Sequence, residues 1–222
     1  MRYKDKQHLI LGFTAGVLLG IVSFDIFPEI ITQVNNFKID PVGPMIALVI
    51  GFLAFHVIEK LLLIHSLDEE HYSEHKHPRV GVLSALALSG HSFIDGVGIG
   101  LGFQVNPAVG FLVAIAVIGH DFSDGLNTVS LMLAHRNSNK MSLQFLLLDA
   151  VAPVLGVVST LFFQIPEKFL VYYLGMFAGF LLYIGASDVL PEAHSTHRSN
   201  ITILMTLTGV IFMFVIVKLT GG

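Results

Sequence analysis

The sequence predicts an all-α polytopic membrane protein of seven transmembrane helices with inverted internal repeats. Three observations predict it. The 222 residues are 54% hydrophobic and 13% charged, with a mean hydropathy of +0.76, where a soluble domain carries about 25% charge. Seven apolar runs, 8–31, 42–65, 80–104, 107–134, 143–164, 169–191 and 200–219, reach the roughly 20 residues that cross a bilayer. Two pairs of runs, the third with the fourth and the first with the sixth, carry matching motifs. The joints between runs are too short for a separate soluble domain, so residues 1–222 form a single transmembrane domain. There is no cysteine, which excludes disulfides, thiolate metal sites and a cysteine nucleophile, and no basic tract for nucleic acid.

Taken in order, run 8–31 follows Arg2, Lys4 and Lys6, as a signal peptide would. No small-x-small cleavage site follows, and the repeat described below includes this run, so it is expected to be a span. Thr32–Pro41 joins it to run 42–65. The joint Ser66–Arg79 is expected to be a His-rich cytoplasmic loop: from His65 to His77 the chain holds four histidines and four acids, Asp68, Glu69, Glu70 and Glu74. Such tracts bind metals loosely, or serve as solvated linkers. Val105–Asn106 makes a tight turn between the third and fourth runs, and His135–Ser142, Ile165–Lys168 and Glu192–Ser199 separate the rest. With the N-terminus inside, the inner face holds Arg2, Lys4, Lys6, Lys76, Arg79, Arg136, Lys140 and Arg198, and the outer face Lys38, Lys168 and Lys218. The excess of positive charge favours N-inside and C-outside. Small size, minimal loops and absence of cysteine fit a prokaryotic cytoplasmic membrane.

The third and fourth runs carry one motif twice. Gly90-His91-Ser92-Phe93-Ile94-Asp95-Gly96 returns 29 residues later as Gly119-His120-Asp121-Phe122-Ser123-Asp124-Gly125. Each copy sets an imidazole and a carboxylate at i and i+4, on one helix face. Ionisable groups near mid-membrane are expensive and usually functional. His91, Asp95, His120 and Asp124 form a nitrogen and oxygen ligand set for a divalent cation, suited to Zn²⁺ and also to Fe²⁺, Mn²⁺ or Cd²⁺. The bland alternative is a charge-neutral His–Asp hydrogen-bonded pair on each helix. Asp121 points about 100° from His120; it joins an adjoining site with Asp124 and Ser92, or orients a ligand, or pairs with another helix. Asp149 is a further candidate for metal contact.

The first and sixth runs share a second motif: Gly12-Phe-Thr-Ala15-Gly16-Val-Leu18-Leu19 with Asp25, Pro28 and Glu29 repeats as Gly175-Met-Phe-Ala178-Gly179-Phe-Leu181-Leu182 with Asp188, Pro191 and Glu192, at an offset of 163. In a seven-span chain these runs point in opposite directions, as do the third and fourth. Repeats of opposite topology are a signature of secondary transporters. Asp25, Glu29, Asp188 and Glu192 either line a path or are solvated helix ends. His56 and Glu59 at i and i+3 are read first as packing, and Gly12, Gly16 and Gly20 as a small-residue stripe for close helix approach. Pro28, Pro153 and Pro191 kink or end helices.

The duplicated His/Asp pattern, Asp188-Val-Leu-Pro191-Glu192, Gly51-Phe-Leu53 with Glu59-Lys60-Leu61, and the His-rich joint before the third run resemble the ZIP family of divalent metal transporters over nearly the whole chain. The resemblance implies eight spans, of which this chain lacks the first, and a homodimer. Ser92 stands where the family often has Asn, Asp124 where Glu is common, and Ala152-Pro153 where the family has Glu-Pro. One ligand of the family's adjoining metal position is thereby missing, and Asp149, one turn earlier, is the substitute. The expectation is import of a divalent cation, Zn²⁺ first, as substrate, with no organic cofactor; partners are the ion, the lipid bilayer and a second copy. The rival is an intramembrane zinc hydrolase with Asp121 as general base, which lacks a His-Glu-x-x-His motif.

Overall fold

A computed structural model describes residues 3–72, 78–195 and 200–220. The described residues are helical apart from short turns and contain no strand. Helices α1 (Tyr3–Ile21) and α2 (Phe27–Phe37) are joined by a π-helical turn, Val22–Ile26; then follow α3 (Val42–Tyr72), α4 (Pro78–Val105), α5 (Pro107–Ala134) and α6 (Asn139–Ser159) with a closing 3₁₀ turn, Thr160–Phe162. Helix α7 (Glu167–Tyr183) passes through a second π-helical turn, Ile184–Val189, into α8 (Leu190–Ser195), and α9 (Asn200–Thr220) is last. Helix is the only open-chain answer in hydrocarbon, where every backbone N–H and C=O must be satisfied within its own segment.

Among the described residues, six stretches are long and apolar enough to cross a membrane: His8–Phe37, Pro78–Val105, Pro107–Ala134, Asn139–Phe162, Glu167–His194 and Asn200–Leu219; the apolar part Val42–Val57 of α3 is shorter. The joints are shorter than their polarity suggests. The expected loop 66–79 is helical to Tyr72 and again from Pro78, with the intervening residues outside those described. A helix need not stop where its apolar run stops, because its backbone bonds continue regardless of side-chain polarity. The turns that remain are built locally. Asn106 accepts a 2.9 Å bond from Val109 N through its side chain, capping α5 with Pro107 at the first position. Arg136 takes the left-handed conformation, φ 62°, after α5, with Asn137 N bonded to Met132 O at 3.0 Å. Ser138 Oγ caps α6.

The chain forms two compact units, 1–55 with 102–119 and 165–222, and 56–101 with 120–164. In the first unit, Gly12, Gly16 and Gly20 of α1 meet Thr202, Thr206 and Met213 of α9 in the same chain direction. Gly43 and Gly51 of α3 likewise meet Tyr172 and Met176 of α7. Leu18, Ile21, Ile26, Leu174 and Leu181 are fully buried there. The repeat at offset 163 has a structural counterpart: each copy widens into a π turn just before Pro28 or Pro191. A helical proline lacks an N–H and its ring collides with the carbonyl four residues back, here Phe24 or Ser187, and a π turn relieves both. The first π turn packs against α7 and the second against α1 and α8. In the second unit, Gly81 of α4 abuts Leu131 of α5, which runs oppositely, and His135 just past its end, while Gly96 and Gly100 abut Pro153 of α6 and Thr160 of its closing 3₁₀ turn. Leu143, Leu147 and Val154 of α6 and Leu161 of its closing turn are exposed, as suits helices whose solvent is lipid.

Candidate metal centre

The centre lies within the second unit, on α4, α5 and α6. The midpoint of α4 falls at His91 and Ser92, and that of α5 at His120 and Asp121. Each helix is about 42 Å long at 1.5 Å per residue, so both motif copies sit about 20 Å from either end. Opposed helices matched at their midpoints bring the two His/Asp faces together.

His91, Asp95, His120 and Asp124 each offer one ligand atom, and these four atoms lie within 4.8 Å of one another. Asp95 Oδ2 is central, 3.2 Å from His91 Nε2 and 3.1 Å from His120 Nε2. Asp124 Oδ2 is 3.7 Å from His91 Nε2 and 4.0 Å from His120 Nε2. The rings lie 5.9 Å apart, tilted by 38°. Tetrahedral Zn²⁺ with ligands at about 2.0–2.2 Å needs ligand atoms about 3.4 Å apart, and most of these edges fit that with small rotations. Asp95 and His120 are 2% and 1% exposed; His91 and Asp124 are half-buried. Asp124 Oδ2 is buried and receives no hydrogen bond from the described residues. Two self-sufficient His–Asp pairs would not leave that oxygen bare; a divalent cation would satisfy it and balance both carboxylates against two neutral imidazoles.

Ser92 and Asp149 face each other rather than the four ligands. Ser92 Oγ donates to Asp149 Oδ1 at 2.8 Å, and Thr128 Oγ1 donates to Asp149 Oδ2 at 3.3 Å. Both hydroxyl residues are fully buried, and Asp149 is 2% exposed. Asp149 thus ties α6 to the residue after His91 on α4 and to α5. Asp121 is half-buried, lies outside the four-atom cluster, and is within Coulombic reach of Asp149 and Asp124. Thr128 escaped the sequence reading, although it continues the i, i+4 row of His120 and Asp124. Ala152 is buried and offers no ligand atom.

Among the described residues, the four-ligand group includes none of the remaining candidates. Asp25 is buried in the first π turn, with Oδ2 lacking a hydrogen-bond partner among the described residues. Glu29 Oε1 accepts from Gln33 at 2.7 Å and Asn106 at 3.2 Å. His135 and His194 turn Nδ1 onto the backbone carbonyls of Leu131 and Leu190. The side chains of Glu59, Asp188 and the His-rich segment 66–77 lie outside the described residues.

A family profile described as ZIP zinc transporter matches residues 64–217, a stretch that contains every residue of the centre. The chain belongs to the ZIP zinc transporter family. A zinc transporter of Streptococcus mutans, ZupT, is 30% identical over 219 residues, covering 92% of this chain and 83% of the relative. The ZIP assignment and the apolar helices make this an integral membrane protein of metal transport.

Proposed function

We propose that this ZIP protein imports a divalent cation into the cytosol, with Zn²⁺ as first substrate, through His91, Asp95, His120 and Asp124. The convergence of their four ligand atoms within 4.8 Å carries the reading. The donor set is two imidazoles and two carboxylates, which suits Zn²⁺ and admits Fe²⁺, Mn²⁺ or Cd²⁺. Ser92, Asp121 and Asp149 form the adjoining position, where Asp149 substitutes for the family ligand replaced by Ala152.

The ion loses water at mid-membrane, binds, and leaves when the path opens to the other face. Alternating access between inverted repeats is supported by the paired π turns of the first and sixth spans and by their crosswise packing, the first turn on α7 and the second on α1. Import is supported by the resemblance to the family and by the His-rich segment on the predicted inner face, which could receive the released ion. The protein acts as a homodimer in a bacterial cytoplasmic membrane and catalyses no reaction.

The test is reconstitution in liposomes with a Zn²⁺ indicator inside, with Fe²⁺, Mn²⁺ and Cd²⁺ as competitors and His91→Ala and Asp124→Ala beside the parent. Saturable uptake lost in both variants is expected. Folded protein that moves none of these ions, yet hydrolyses lipid or peptide, would replace transport with the hydrolase reading.

A further inference from the structure

A groove of about 460 Å³ opens on the second unit at the start of α4, and none of the four candidate metal ligands lines it. Its long wall is one face of α4: Arg79, Val82, Leu83 and Leu86 stand at i, i+3, i+4 and i+7. Met141 of α6 faces them, and Asn137 closes the end, donating to Pro78 O at 3.0 Å and to Met132 O at 3.1 Å. Leu83 and Leu86 are 57% and 48% exposed. Arg79 lies at the terminus of a membrane span, at the interface, and Leu86 lies about 10 Å deeper at 1.5 Å per residue.

We infer that this groove binds one anionic phospholipid, its phosphate on the Arg79 guanidinium and an acyl chain along Val82, Leu83 and Leu86. The shape and polarity match that class of molecule: a charged head at the interface over an apolar slot running inward. Charge favours the anionic kind. Arg79, Arg136 and Lys140 are exposed at this end of the unit, and no acid occurs in 78–94 or 125–148. No ion pair joins any of the three to a carboxylate among the described residues. Arg79 also stands in the first turn of α4, where the helix dipole adds positive potential. Basic pockets between membrane helices hold anionic headgroups in this way, and a guanidinium grips phosphate through two parallel donors. The competing anions are Asp68, Glu69, Glu70 and Glu74, which precede Pro78 in sequence; if they neutralised Arg79, the preference for a charged lipid would vanish.

The experiment is native mass spectrometry of the full-length protein in detergent, titrated with dioleoyl phosphatidylglycerol or dioleoyl phosphatidylcholine. One saturable phosphatidylglycerol is expected, bound more tightly than phosphatidylcholine. Arg79→Gln should weaken phosphatidylglycerol about tenfold or more, the loss of a charge-assisted bond, and leave phosphatidylcholine unchanged. Leu83→Trp, which fills the slot from an exposed position, should weaken both. Equal binding of the two lipids overturns the inference in favour of ordinary bilayer contact. Displacement by sn-glycerol 1-phosphate at the same concentration overturns the lipid in favour of a free-anion site. An Arg136→Gln, Lys140→Gln double variant as weak as Arg79→Gln overturns the groove in favour of diffuse surface charge.

Discussion

His120 Nε2 stands 3.1 Å from Asp95 Oδ2, across two helices, slightly nearer than the 3.2 Å between Asp95 and its own-helix partner His91. Asp95 Oδ2 is thus within reach of both imidazoles, one on its own helix and one on the next. Asp95→Ala should abolish saturable uptake, with Zn²⁺ affinity falling beyond the roughly 10–100-fold typical of losing an outer-shell partner. Asp95→Glu, which lengthens the side chain by one methylene, should retain measurable binding. Isothermal titration of the purified variants with Zn²⁺ checks both, and equal affinity for Asp95→Ala and the parent would remove this residue from the site.

Asp149 is held by Ser92 and Thr128 at 2.8 and 3.3 Å. Removing both hydroxyls as Ser92→Ala with Thr128→Val leaves a buried carboxylate without donors, at a cost of about 1–3 kcal/mol for each lost partner. Thermal unfolding in detergent should show the loss. Adding Asp149→Leu to the double variant should recover part of it, because no orphaned charge then remains; a further fall would assign Asp149 a different structural role.

The two motif glycines of each copy are not equivalent. A methyl at Gly90 or Gly119 meets nothing within 4 Å, whereas at Gly96 it collides with the backbone of Pro153. Gly96→Ala should destabilise by about 1–3 kcal/mol through overpacking, and Gly156→Ala, against Phe93 O on the same helix pair, should do likewise. Gly90→Ala should leave the melting temperature unchanged or raise it. Scanning calorimetry separates the two classes.

Metal ligands bind the ion only when deprotonated, so protons compete with Zn²⁺ at a site built on imidazoles. Uptake at low Zn²⁺ should fall as the pH is lowered from about 7.5 to about 5.5, the range in which imidazoles ordinarily acquire charge. The fall should diminish at saturating Zn²⁺, since protonation raises the apparent KM. A flat profile at low Zn²⁺ would count against histidine ligation.

Absence of cysteine makes the topology directly testable. Asn139→Cys, at the start of α6, should react with an impermeant maleimide only from the cytosolic side, and Gln164→Cys, beyond its far end, only from outside. Both positions are exposed. The reverse pattern would overturn the predicted orientation and remove the His-rich segment as support for import.

Much of this was legible in the chain itself. Hydropathy marks the spans because hydrocarbon excludes backbone and side-chain polarity alike, and the i, i+4 spacing of His91 with Asp95 and His120 with Asp124 assigns each pair to one helix face, a consequence of 3.6 residues per turn. The offset of 163 between the Asp25 and Asp188 motifs likewise stands in the sequence. What the sequence left open depends on how one helix is rotated and shifted against another, which no local period contains. Only the packed helices show that Asp149 takes its donors from Ser92 and Thr128, that Asp121 lies outside the cluster, and that Gly96 touches Pro153 while Gly90 touches nothing. The π turns ahead of Pro28 and Pro191 belong to the same class: proline predicts strain in a helix, but whether the chain kinks, stops or widens is decided by the neighbours packed around it.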